Sequence, residues 1–323
     1  MKKYLPDYFI TGLLLTILIA WLKPGLGMDT HPVNLGMVIN IGLILVFFFQ
    51  GLKLDIGKIQ HGMKNWLLHV MIQFTTFFVF SLIVLLFYPL LGDSHLNIFW
   101  MGMFFLAALP STVSSSVVLV SIAGGNIPAA IFNAGISGLI GIIMTPFWMG
   151  LFIMDKSMGI DFTAVLLKLL TQIILPVVVG LVLNKFLKQW TNKLQRTIAI
   201  FERIMILLVV YKSFSHSFMD DVFSSVSLLT LGGVLLSVIL LFFLVLNFTG
   251  LAGRWLHFSH EDRITMQFAG TQKSLVHGSV YANILFRDLP AAGILLLPVI
   301  IYHGFQLIVF SIIAEKMRKE KNR

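Results

Sequence analysis

The sequence predicts an all-α polytopic membrane protein of ten transmembrane helices arranged as two inverted five-helix repeats. Three observations predict it: the composition, the number of long apolar stretches, and the way Lys and Arg alternate between the connecting loops. Hydrophobic residues make up 58% of the 323 positions and charged residues 11%, where soluble domains average about 45–50% and 25%. A soluble chain with so little charge would lack the surface to stay dissolved. The net charge of +9 would in a soluble protein point to a nucleic-acid partner. Here the basic residues sit mostly in short loops and at the ends, so the partner is the lipid bilayer and no nucleic acid is expected. There is no cysteine, which excludes disulfides, thiol catalysis and thiolate metal sites.

A spanning helix needs roughly 20 mainly apolar residues. Ten stretches qualify: 7–22, 34–52, 66–91, 98–123, 127–154, 163–184, 199–218, 226–249, 264–285 and 289–313. Span one follows Met1-Lys2-Lys3 and lacks a clean small-residue cleavage site, so it reads as a helix rather than a signal peptide. Span two ends on Gln50-Gly51-Leu52-Lys53-Leu54, and span three carries Gln73. Span four is interrupted halfway by Leu109-Pro110-Ser111-Thr112-Val113-Ser114-Ser115-Ser116 and joined to span five by Gly124-Gly125-Asn126. Spans six and seven flank a basic loop, and span eight runs without a charge. Span nine is broken near its middle by Gly270-Thr271-Gln272-Lys273-Ser274, with His277 and Gly278 following. Span ten precedes a basic tail. Sixteen Lys and Arg fall on one side, in residues 2–3, 53–64, 185–196, 254–263 and 316–323. Only Lys23, Lys156 and Arg287 fall on the other. The positive-inside rule then puts both termini in the cytoplasm.

Asn126-Ile127-Pro128-Ala129-Ala130-Ile131 is similar to Asp288-Leu289-Pro290-Ala291-Ala292-Gly293, 162 residues further on. The offset divides the chain into a first repeat, 1–155, and a second, 156–323. Five is odd, so the second repeat runs through the bilayer upside down. Inverted repeats with interrupted helices at corresponding positions are a transporter signature, with ligands bound near the midplane. The same offset maps Pro110 onto Gln272 and Ser111 onto Lys273. Proline removes a backbone donor, and unwound backbone at membrane depth survives only where protein encloses it or lines a cavity. The candidate substrate cavity is therefore lined by Pro110, Ser111, Thr112, Ser114, Ser274 and His277.

Small hydroxyl residues also serve simply to pack membrane helices, and the serine run alone favours that account. Lys273 shifts the balance. A lysine at mid-helix costs roughly 2.5–3.5 kcal/mol on insertion scales, and about nine residues on either side, near 14 Å of helix, prevent snorkelling. His277, one turn further on, shares its face; a hydrogen-bonded packing histidine and a proton-coupling one both remain open. Tyr302, His303 and Gln306 read as packing with some polar lining. Lys168 and Lys212 lie nearer span ends and read as snorkelling residues, while Arg203 reads as structural, paired with Glu202 or a neighbouring helix. No carboxylate sits near the centre of any span, which disfavours an acid-based proton relay. Sodium could still be held by carbonyls, hydroxyls and amides. Gly135-Ile136-Ser137-Gly138 and the His257…Asp262 spacing match fragments of protease and acyltransferase motifs without their supporting context. No phosphate-binding loop or metal-ligand cluster is present, so ATP-driven transport by this chain alone is not expected; nor is an enzymatic activity, or a cofactor other than a bound sodium ion.

These residues resemble the bile acid:sodium symporter superfamily, in its bacterial SBF-like, CPA-type branch. The resemblance covers essentially the whole chain. It is carried by Gln50-Gly51-Leu52-Lys53-Leu54, Gln73-Phe74, the span-four serines leading to Gly125-Asn126, Thr145-Pro146, and Gly270-Thr271-Gln272-Lys273-Ser274. It implies a panel of spans one, two, six and seven and a core of the rest, with discontinuous spans four and nine crossing at the centre. It also implies sodium-coupled uptake of a small organic anion by alternating access, in the plasma membrane (the bacterial inner membrane). One implied sodium site takes Gln73, Gln272 and the backbone of Ala269 and Thr271. The other lies near Ser115, Ser116, Ala130 and Ala134, with Asn133 and Ser137 as substitutes for the two alanines. Two departures stand out. Coupled relatives carry glutamate where this chain has Phe268, and often asparagine where it has Lys273, so the Lys273 ammonium is expected to occupy or replace one cation site. Alternatives are a monovalent cation/proton antiporter and a non-transporting membrane sensor or regulator.

Overall fold

The computed structural model describes residues 8–28, 34–53, 65–88, 94–112, 114–153, 167–286 and 289–321. All regular structure among them is helical, the form in which a single apolar segment can satisfy its own backbone in hydrocarbon. The helices are α1 (Tyr8–Leu22), α2 (Leu35–Lys53), α3 (Trp66–Leu86), α4 (Ser94–Ala108), α5 (Ser114–Ala123), α6 (Ile127–Ile153), α7 (Leu175–Met219), α8 (Leu228–Trp255), α9 (His260–Thr271), α10 (Leu275–Leu285) and α11 (Ala292–Lys321). Among the described residues six helices are long and apolar enough to cross a membrane: α2, α3, α6, Leu167–Leu187, α8 and Ala292–Glu320. The protein is therefore multi-pass. The expected repeat boundary at 155/156, and Lys2, Lys3, Lys58, Lys64, Lys156 and Arg287, lie outside the described residues.

The chain forms two compact units. The first gathers Met1–Leu54, Asp161–Leu228 and Ser279–Leu296; the second gathers Asp55–Ile160, Leu229–Gly278 and Leu297–Arg323.

In the first unit, α2 packs on α7 at a crossing of two glycines. A Cβ on Gly51 would overlap the Val177 carbonyl, and one on Gly180 would overlap the Phe48 carbonyl. Backbones thus touch where side chains would hold them apart, the usual role of small residues between membrane helices. The basic stretch 185–196, expected as a loop, is helical, and helix is continuous from Leu175 to Met219. Its path nevertheless reverses. Val177 lies against Gly51 and Met205 against Gly42; a straight helix at 1.5 Å per residue would separate Val177 and Met205 by about 42 Å, and Gly42 and Gly51 by about 14 Å. Lys53 pairs with Glu202 at 2.6 Å, so Glu202 does not serve Arg203. The Arg203 guanidinium instead sits 5.7 Å from the Phe9 ring on α1. Lys212 is buried rather than snorkelling, and Lys168 is half-buried.

In the second unit, α3 contains one π-helical turn, Thr75–Val79. The expected span four is two helices, α4 and α5, separated by unwound residues from Leu109; the expected span nine is α9 and α10, separated by Gln272-Lys273-Ser274. Gly124, at φ 80°, turns the chain from α5 towards α6, a left-handed conformation that glycine adopts without strain. The Asn126 side chain and that of Asn65, ahead of α3, both donate to Asp262 of α9, at 2.8 and 3.0 Å. Ser259 caps α9 by accepting from Asp262 N at 3.1 Å.

Candidate functional site

The two breaks lie against each other within the second unit. Ser274 N donates to the Pro110 carbonyl at 2.9 Å, and the Ser111 hydroxyl donates to the Ala269 carbonyl at 2.7 Å. Unwinding a helix frees backbone groups that water cannot reach here, so each needs a partner. Most have one. Ser137 Oγ accepts from Ser111 N at 2.9 Å, and Tyr302 OH donates to the Thr271 carbonyl at 2.6 Å. The Gln306 amide clamps the middle residue from both sides: its Oε1 accepts from Lys273 N and its Nε2 donates to Lys273 O, each at 2.8 Å. Pro110 packs over Gly141, where a Cβ would come within 2.8 Å of the ring.

The predicted site residues fall into three groups. Thr112, Ser115 and Gln272 form one: both hydroxyls donate to Gln272 Oε1 at 3.0 Å, and they also contact each other. Ser116 belongs with them, its N–H donating to Thr112 Oγ1 at 3.2 Å. The second group is Gln73 with Asn133. Gln73 Nε2 donates to Asn133 Oδ1 and to its carbonyl, at 3.1 and 3.3 Å. Asn133 Nδ2 in turn reaches His69 Nδ1 at 2.7 Å and the Ala129 carbonyl at 2.9 Å. The third is Lys273 itself, 1% exposed. Its ammonium donates to the carbonyls of Thr76 (2.6 Å), Ala107 (2.6 Å) and Leu109 (2.8 Å), with the Phe80 ring centroid 4.0 Å away.

Ser274 opens α10 as its cap, accepting from His277 N at 3.3 Å, and its hydroxyl contacts His277 Nδ1 at 2.9 Å. Ser114 opens α5, but its side chain lies outside the described residues. Four buried side-chain atoms of the predicted set have no hydrogen-bond partner among the described residues: Gln73 Oε1, Ser116 Oγ, Thr271 Oγ1 and Gln272 Nε2. Three of the four are neutral oxygens, the kind of hard ligand that suits an alkali cation. Among the described residues no cluster of three or more His, Cys, Asp or Glu side chains could hold a metal.

Sequence reasoning did not single out His69 or the π-turn. His69 lies one helical turn before Gln73, so the spacing that brings it to Asn133 was available. The π-turn has no composition of its own, yet it shapes the site. Phe80 N–H bonds to Thr75 O, five residues back, and so bypasses Thr76 O, which accepts from Lys273. Single π-turns within α-helices occur often at functional sites.

Comparison with known proteins identifies the family. The family description "SBF-like CPA transporter family" matches residues 7–319. "Uncharacterized protein PA2026" of Pseudomonas aeruginosa is 33% identical over 99% of this chain and 95% of its own length. "Putative symporter YfeH" of Escherichia coli is 31% identical over 97% of this chain and 93% of its own. "Sodium/bile acid cotransporter 7-A" of Xenopus laevis is 26% identical over 98% and 93%. A family match across almost the whole sequence, carried on a multi-pass helical fold with two interrupted helices, makes this a transporter and not an enzyme: the chain belongs to the SBF-like CPA transporter family.

Proposed function

We propose that the protein is a sodium-coupled secondary transporter that takes up a small organic anion by alternating access. Ten spans in two inverted repeats, 1–155 and 156–323, would lie in the bacterial inner membrane with both termini cytoplasmic. The observation that carries the reading is the pair of broken helices in contact, with neutral oxygens on Gln73, Ser116 and Thr271 and the Gln272 amide that have no hydrogen-bond partner among the described residues. Such oxygens can replace the hydration shell of a sodium ion without a buried acid. Helices α5 and α10 begin at the breaks, and their positive ends favour an anionic group. No resident cofactor is needed for this chemistry; sodium is cargo.

The test is thermal stability of the purified protein in sodium, potassium and choline at fixed ionic strength, repeated with Gln73→Ala and Gln272→Ala. A ligand that binds only the folded state stabilises it by about 2.7 kcal/mol at 100 times its dissociation constant. Selective stabilisation by sodium, lost in both glutamine variants, is the expected result. Equal stability in the three salts, or a sodium effect that survives both substitutions, would defeat the reading.

A further inference from the structure

The surroundings of Lys273 are those of an ion rather than of a salt bridge. An ammonium has three N–H donors, and all three are used, each on a main-chain carbonyl. The lengths of 2.6–2.8 Å are short for N–H···O bonds, the direction in which a charged donor moves them. None of its partners is a carboxylate. Ala107 lies in the last turn of α4 and Leu109 is the first residue beyond it, where a helix presents unpaired C=O groups and the negative end of its dipole. Their neighbours are otherwise engaged: Leu106 O accepts from Leu109 N at 3.3 Å and Ala108 O from Thr145 Oγ1 at 2.8 Å. The third, Thr76 O, is the one the π-turn of α3 leaves aside. The Phe80 ring closes the pocket with its negative face towards the charge. Convergent main-chain carbonyls without an acid are how proteins coordinate a bare monovalent cation.

We propose that the carbonyls of Thr76, Ala107 and Leu109 form a monovalent-cation site, of a size suited to ammonium or potassium, that Lys273 fills permanently from its own chain. The lysine is a resident cation. It cannot leave, so this site neither loads nor unloads, and any exchangeable sodium is confined to the groups around Gln73 and Gln272. Only that last consequence rests on the transport reading; the carbonyl site stands independently of it.

Truncation should expose the site to ions from solution. Thermal unfolding is measured for wild type, Lys273→Ala, Lys273→Gln and Lys273→Met in choline, potassium, ammonium and propylammonium chlorides at fixed ionic strength. Lys273→Ala is expected to unfold earlier in choline and to regain about 5 °C, saturably, in one or more of the small cations, while wild type responds to none. Lys273→Met fills the side-chain space without charge and should stay low in every salt. Lys273→Gln offers donors without charge and should stay low as well. If Lys273→Ala matches wild type in choline, or loses the same stability in every salt, the proposal fails. It fails equally if Lys273→Gln restores wild-type stability, because hydrogen bonding without charge would then suffice. Should Lys273→Ala be too unstable to purify in choline, extraction in propylammonium becomes the readout, and equal failure there overturns the site. The sodium response of wild type is read separately, so either conclusion can fall without the other.

Discussion

Replacing Gln306 by leucine tests whether the break in span nine is held by side chains of α11. Leucine is apolar and of comparable size, so most of the packing is retained. What is lost is the amide that accepts from Lys273 N and donates to Lys273 O; its Nε2 also contacts His303 Nδ1 at 3.0 Å. Hydrogen bonds between membrane helices average about 0.6 kcal/mol, with a maximum near 1.7, which sets a floor of about 1 kcal/mol for two. Orphaning a buried donor or acceptor costs about 1–3 kcal/mol each, and both Lys273 groups would be orphaned in a residue 1% exposed. A loss of about 2–4 kcal/mol follows, seen as a fall in Tm of roughly 4–16 °C at about 2–4 °C per kcal/mol for chains of this order of size. Tyr302→Phe provides the internal scale. It removes one bond, to Thr271 O, and should cost about half as much. The assay is thermal unfolding in detergent at one scan rate, because unfolding of such proteins is often irreversible. If Gln306→Leu unfolds with wild type, or Tyr302→Phe is the more damaging change, the idea that α11 holds the break open is wrong.

Three further outcomes are expected. Gly180→Ala should destabilise by about 1–3 kcal/mol, because its Cβ would meet the Phe48 carbonyl with Leu52 N 3.0 Å away; Gly232→Ala, with nothing within 4 Å, should be neutral or gain up to about 1 kcal/mol, and thermal unfolding of the pair decides it. Lys53→Met should cost no more than about 1 kcal/mol and less in high salt, since the Lys53–Glu202 pair is 33% and 19% exposed; a larger, salt-independent loss in the same assay would contradict this. The chain has no cysteine, so Lys193→Cys and Lys23→Cys, both at exposed positions, can be labelled without background. An impermeant maleimide should reach Lys23→Cys in right-side-out cells and Lys193→Cys only in inverted vesicles. The reverse pattern would invert the proposed orientation.

Much of the candidate site was legible because breaking a membrane helix needs particular residues. Pro110 and the Gly270–Ser274 run locate both unwound segments, and hydroxyls and amides beside them identify the groups that meet at Gln272. Lys273 was legible as buried, since its position in an apolar stretch leaves no route to water. Its partners were not. Carbonyl oxygens are present at every residue, and nothing in the letters Thr76, Ala107 or Leu109 says which of them will be left free. The π-turn is invisible for the same reason. The expected loop at 185–196 was misread because charge in the sequence reports contact with water, not loss of helix; its Lys, Gln and Arg are good helix formers. Lys212 shows the opposite failure: closeness to a span end allows snorkelling without requiring it.

The Lys273 bonds also have a mechanical meaning. Three struts, the middle of α3, the end of α4 and the strand-like turn before α10, are pinned at one atom by bonds that tolerate only a few tenths of an ångström of stretch before they weaken. Relative sliding among these three would have to break all of them together. Whatever rearrangement serves the transport cycle must therefore carry this joint as a single piece, with the compliance located elsewhere. Hydrogen exchange should accordingly find the amides around Lys273 among the slowest of the second unit, although they lie in the part of the backbone with the least regular structure.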